Sequence, residues 1–185
     1  MSHTTTVYGY RDTGKSTLML ETAIKAQKMG ILPIFIITEQ KHRWSHAITM
    51  GFEIEEVVDQ DGVVDYEGFF LYFDRSSFTT IEEMAELINK LITDQEKGLI
   101  PHDILFLIDS IGKVNCKMGI DNGKFQREWI ASAISAEFGG GIIPRIGLSN
   151  KVDCKYTNSL FVIAQPWTEK ADPKKWGSTN KKKKK

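Results

Sequence analysis

The chain has 185 residues, 41% of them apolar, and its 24 Lys and Arg balance 24 Asp and Glu. This is enough chain for one well-buried core, and no apolar run approaches the ~20 residues of a membrane-spanning helix. The opening MSHTTT lacks the basic-then-apolar pattern of a signal peptide, and Cys116 and Cys154, in polar contexts at no metal spacing, read as reduced thiols of a cytosolic protein.

The neutral total conceals an asymmetry. Residues 1–112 hold 9 Lys and Arg against 18 Asp and Glu, a net of −9, while residues 113–185 hold 15 against 6, a net of +9. A basic surface in the second part suits a polyanion.

The elements follow in chain order. HTTTVYGY is β-rich and enters a glycine loop. KSTLMLETAIKAQKMG reads as a helix with Leu18, Leu20, Ala23, Ile24 and Ala26 apolar and Gly30 as its stop. LPIFIITE is a continuous apolar run, the mark of a strand buried on both faces. Residues 42–50 suit a short helix, the acidic EIEEVVDQDGVVDYEG a surface excursion, and FFLYFD a short strand. In TIEEMAELINKLITDQEKG, Thr80 and Glu83 make a capping box ahead of an apolar stripe of Ile81, Met84, Leu87, Ile88 and Leu91. DILFLIDS is a second buried strand. QREWIASAISAEF is a helix that the run Gly139–Gly141 is expected to break, and SLFVIAQ is a third buried strand. The rest, Pro- and Lys-containing without periodicity, reads as loop. Buried strands alternating with helices predict an α/β fold with a mostly parallel sheet covered on both faces.

The glycine loop carries the first chemical signal. Gly9-Tyr10-Arg11-Asp12-Thr13-Gly14-Lys15-Ser16 fits G-x-x-x-x-G-K-[ST] in full, between a predicted strand and a predicted helix. Glycines let successive N–H groups turn toward phosphate oxygens, and the following helix adds its positive end. Lys15 then reaches the β- and γ-phosphates, and Ser16 suits a magnesium ion. Two acids end buried strands: Asp109 closes ILFLID, where a metal-side carboxylate belongs, and Glu39 closes PIFIITE, where a glutamate can orient water.

Together these residues resemble the RecA/Rad51 recombinase ATPase core, nearest to the phage recombinases. Glu39 stands 24 positions after Lys15, a gap similar to the family's. HAITMGFEIEEVV resembles its segment of a helix followed by an lGvd.e.v pattern, and ILFLIDSIGKV its Walker B strand, where Asp precedes Ser. FQREWIASAISAEFGGGIIPRI resembles the helix after the first DNA loop, and SLFVIAQ the strand ending in a polar sensor, here Gln165. The resemblance spans residues 5 to 167.

That resemblance implies a three-layer P-loop NTPase core over residues 1–167 and a basic tail over 168–185. It implies that Gly9, Tyr10, Arg11, Asp12, Thr13, Gly14, Lys15, Ser16 and Thr17 hold ATP and Mg2+, with Asp109 on the metal side. It gives Glu39 the activation of water and Gln165 the sensing of the γ-phosphate. Two loops would meet single- or double-stranded DNA, through Lys113, Lys117, Lys124 and Arg127 in one and Lys170, Lys174 and Lys175 in the other, with Trp167 and Trp176 stacking on bases. In place of the family's adenine-packing aromatic stand Trp44 and His46.

The implied activity is DNA-dependent ATP hydrolysis in recombination or repair, in a bacterial or phage-infected cytoplasm. The implied assembly is a homo-oligomer, filament or ring, or a partner chain covering a sheet truncated at its C-terminal edge. A RecA-fold helicase or motor, and a truncated non-catalytic accessory module of a larger recombinase, share these landmarks.

Overall fold

The apolar runs become strands because each can bury both of its faces. In the computed structural model, which describes residues 3–39, 44–58, 60–62, 64–151 and 153–166, β1 is Thr4–Tyr8, β2 Leu32–Ile37, β5 Leu71–Phe73, β6 Ile104–Asp109 and β7 Asn158–Ala164. Among the described residues these five form one sheet in the order β1–β7–β6–β2–β5, and every pairing in it is parallel. The fold is therefore α/β with a parallel central sheet flanked by helices.

Strand alternation sorts the apolar side chains into two cores. Phe35, Ile37, Leu105, Leu107, Phe161 and Ile163 point to one face and pack against Met19, Leu20, Ala23 and Ile24 of α1 (Lys15–Lys28), with Ala47 of α2 (Trp44–Met50) closing that layer. Ile34, Ile36, Phe106, Ile108, Leu160 and Val162 point to the other and meet α3 (Ile81–Glu96) and a long helical stretch built from residues 127–149. The capping box at the start of α3 forms as expected, Glu83 N–H donating to Thr80 Oγ1 at 3.1 Å.

Two expectations need correction. In α1 Met19 is buried, at 1% exposure, while Leu18 is exposed. Cys116 and Cys154 are free, and Cys116 is buried just before the short α4 (Lys117–Asp121). The acidic stretch lies at the surface as expected, where it forms an antiparallel hairpin of β3 (Ile54–Val58) and β4 (Val64–Gly68). It is moored by an aromatic cluster in which Trp44 lies 5.4 Å from Tyr66, 5.0 Å from Phe70 and 5.2 Å from Tyr72 between ring centroids.

The second correction concerns Gly139–Gly141, which do not break the helix. α5 (Arg127–Ile134) runs into a π-helical turn, Ser135–Ile142, and on into α6 (Ile143–Ser149). A glycine costs ~1 kcal/mol in a helix, but Phe138, Ile142 and Ile146 are all buried from this stretch against α3 and the sheet, and each such burial stabilises by ~1.5–3 kcal/mol. Packing wins over propensity. The π register also suits Pro144, which has no N–H to give and whose ring crowds the carbonyl four residues before it, here that of Gly140.

Candidate functional site

The pairing register puts the carboxyl ends of four strands in one row. Tyr8 stands beside Ala164, Ile163 beside Asp109, and Asp109 beside Ile37. The residues that follow, Gly9, Gln165, Thr38 and Glu39, must therefore emerge with Asp109 at one rim of the sheet, where ligands of open parallel sheets bind.

The glycine loop leaves β1 still attached to β7, Gly9 N–H donating to Ala164 O at 3.3 Å. Asp12 takes φ 58° and Gly14 φ 80°, so the chain turns twice through the left-handed region before α1 begins. Glycine at 14 meets this without strain. No side chain caps α1 at Gly14, and its first turn holds no acid, so its leading N–H groups and positive end face the loop. The Lys15 ammonium is buried, donating to the Tyr10 carbonyl and lying 3.4 Å from Thr13 Oγ1. Thr13 Oγ1 itself donates to Tyr10 O at 2.8 Å. The arrangement is an anion cradle with its cation folded inward.

Across from it stands Asp109. Ser16 Oγ donates to Asp109 Oδ2 at 2.6 Å, joining the first turn of α1 to the end of β6. Burial pushes the Asp109 carboxyl above its ordinary range and the Glu39 charge pushes the same way, while the Ser16 hydrogen bond and Lys15 pull it back. On its other side Glu39, exposed at the end of β2, accepts a hydrogen bond from Gln165 Nε2 at 3.1 Å.

Thr38, which no sequence motif marked, ties these ends together. It is 2% exposed. Its N–H donates to Asp109 O at 2.8 Å, its hydroxyl donates to Ser110 O at 2.8 Å, and it accepts the Ser110 N–H at 2.9 Å. The Asp109–Ser110 peptide is cis. The Ser110 hydroxyl is buried without a hydrogen-bond partner among the described residues.

Thr13, Lys15, Ser16, Thr38, Glu39 and Gln165 line an open cleft of about 590 Å³, together with Arg11, Asp12, Gly14, Thr17, Arg75 and Lys113. Beyond Gln165 lies a second hollow of about 670 Å³ that shares Arg11, Lys113 and Gln165 with the first and adds Tyr10, Phe125 and Arg127. Tyr10 and Phe125 are 67% and 57% exposed, so two ring faces stand among cations.

The predicted site residues are thus partly gathered and partly scattered. Gly9 to Thr17, Glu39, Asp109 and Gln165 converge on one rim. Lys113 and Arg127 join the second hollow. Lys117 does not: its ammonium is held 3.3 Å from Glu86 of α3. Lys124 lines neither hollow. Trp44 is packed among Phe35, Phe52 and Phe70, and His46 is exposed on α2 and lines neither hollow. Trp167, Lys170, Lys174, Lys175 and Trp176 lie outside the described residues.

Among the described residues no cluster of three or more His, Cys, Asp or Glu is placed to hold a metal ion by itself, and no helix is long and apolar enough to cross a membrane. The Ser16 hydroxyl and Asp109 carboxylate, already 2.6 Å apart, are the oxygen donors suited to magnesium, an ion that takes few protein ligands and completes its shell with water and phosphate. No protein-family model matches the chain, and no curated protein does.

Proposed function

We propose that the chain binds and hydrolyses ATP on DNA, as a recombination or repair ATPase of the RecA/Rad51 kind. The observation that carries the reading is the convergence on one rim of a phosphate loop, a Ser16–Asp109 pair and a Glu39–Gln165 pair. The loop with Ser16, Asp109, Glu39 and Gln165 come from four different strand ends. An anion cradle alone would bind phosphate; the carboxylate facing it across the cleft adds a group able to act on water.

The triphosphate lies along the loop, its oxygens taking the N–H groups of residues 10–15. Lys15 leaves the Tyr10 carbonyl and pairs with the outer phosphates. Ser16 and Asp109 would hold a magnesium ion, which offsets the charge of the phosphates when bound. Glu39 is the acceptor for a proton of the attacking water, and Gln165 fixes its carboxylate by holding Oε1. Charge that develops on the transferred group meets Lys15 and the end of α1.

The test separates the two halves of the reading. Lys15→Ala abolishes binding of a fluorescent ATP analogue, a loss of about 100-fold or more, because the buried cation is gone. Glu39→Gln keeps that binding and lowers turnover about 100-fold or more. Binding by Lys15→Ala at the original affinity rejects the nucleotide site, and full turnover by Glu39→Gln rejects the catalytic assignment.

A further inference from the structure

The cleft contains a cation that no motif assigns. Arg75 lies on the turn after β5, the strand next to β2, so it enters the cleft from the Glu39 side, opposite the phosphate loop. The turn presents it in a set way. The Asp74 carboxylate takes the Ser76 N–H at 2.8 Å and the Ser76 hydroxyl at 2.6 Å, and Ser77 N–H closes on Asp74 O at 3.0 Å.

Those bonds occupy the acid beside Arg75. Arg75 makes no ion pair among the described residues. An exposed arginine with no ion-pair partner among the described residues, next to a carboxylate assigned to water and across from an anion cradle, suits a negative charge delivered between them. A guanidinium offers planar paired donors to phosphate oxygens.

We propose that Arg75 contacts the terminal phosphate and stabilises its transferring state from within the same chain, so that one chain carries a complete hydrolytic set. This rests on the ATP-hydrolysing reading of the cleft. Lys15 and the end of α1 hold the phosphates from below, while Arg75 and Glu39 close the far side. Water attacks the γ-phosphorus, the bond to the β–γ bridging oxygen breaks, and ADP and phosphate leave. Arg75 takes up charge without exchanging a proton.

Arg75→Ala lowers kcat about 100-fold or more, leaves ADP affinity within about threefold, and weakens binding of ADP with aluminium fluoride in proportion to the lost rate. Arg75→Lys restores part of the rate. Because the residue is exposed on a turn, its variants melt with the wild type, which is checked directly. Mixing Lys15→Ala with Arg75→Ala chains decides the chain of origin: no recovery of turnover is expected, and recovery would show that Arg75 works across an interface. Turnover of Arg75→Ala equal to wild type, with Lys15→Ala inactive, overturns the assignment of Arg75 alone. Wild-type behaviour of both variants overturns the nucleotide reading and this inference with it.

Discussion

Gln165 and Glu39 are joined by a hydrogen bond of 3.1 Å that links the end of β7 to the end of β2. β6 lies between those strands, so the bond arches over Asp109. The amide of Gln165 also lines both hollows. A molecule in the second hollow therefore meets the residue that holds Glu39.

Gln165→Leu therefore loosens Glu39 without removing it. Turnover is expected to fall about tenfold or more, since the carboxylate no longer holds one geometry, while ADP binding stays within about threefold. Steady-state kinetics beside equilibrium titration measures both. Unchanged turnover would dissociate the pair from catalysis.

Thr38 and Ser110 give opposite expectations for two buried hydroxyls. Thr38→Val leaves the Ser110 N–H without its acceptor and costs about 1–3 kcal/mol in denaturant unfolding. Ser110→Ala removes a hydroxyl that has no partner among the described residues and costs less than about 1 kcal/mol. Equal costs would show that the Thr38 bonds do not hold the strand ends together.

Asp109 sets a pH dependence. Its carboxyl is held above the ordinary range in the fold, so the folded state disfavours the charged form. The penalty is absent below the ordinary carboxylate range, grows as pH rises toward the raised value and is complete above it. Asp109→Asn is expected to raise the melting temperature at pH 7, with the gain shrinking as the pH is lowered through that window. A gain that does not change with pH argues that the cause lies elsewhere.

The second hollow predicts which lysines matter for nucleic acid. Lys113→Ala and Arg127→Ala each lower the slope of log affinity for single-stranded DNA against log salt by about 1. Tyr10→Ala and Phe125→Ala cost about 1–3 kcal/mol each through lost stacking. Lys117→Ala, already paired with Glu86, leaves the slope unchanged. A wild-type affinity that does not respond to salt removes the DNA proposal.

The strands that carry the site are legible in the sequence because they are buried on both faces, which makes LPIFII, ILFLID and SLFVIA stand out as unbroken apolar runs. The loop is legible because its glycines and lysine stand at the set distances of the G-x-x-x-x-G-K-[ST] pattern. The β3–β4 hairpin is not: Glu55-Glu56 and Val57-Val58 break the alternation, and both faces of the ribbon are largely exposed. The glycine triplet misleads because local propensity says nothing of Phe138 and Ile142 packing from either end of it. Thr38 and Arg75 carry no motif at all. Their meaning comes from strand order, a non-local property that sets Thr38 against Ser110 and Arg75 across from the loop.

The position of β7 has a consequence for how the chain comes together. β1 precedes the other four strands of its sheet in the sequence, yet among the described residues its one partner is β7, with Thr4 set against Leu160 and Tyr8 against Ala164. β7 must slide between β1 and β6 before the phosphate loop has a base to spring from. Contacts of such long sequence separation form late and slowly. A nascent chain can assemble β2, β5 and β6 with α3 while its phosphate loop still hangs from an unpaired strand. The glycine loop, early in the sequence, is thus among the last parts of the cleft to take its place, so under the proposed function nucleotide affinity would report completion of the fold.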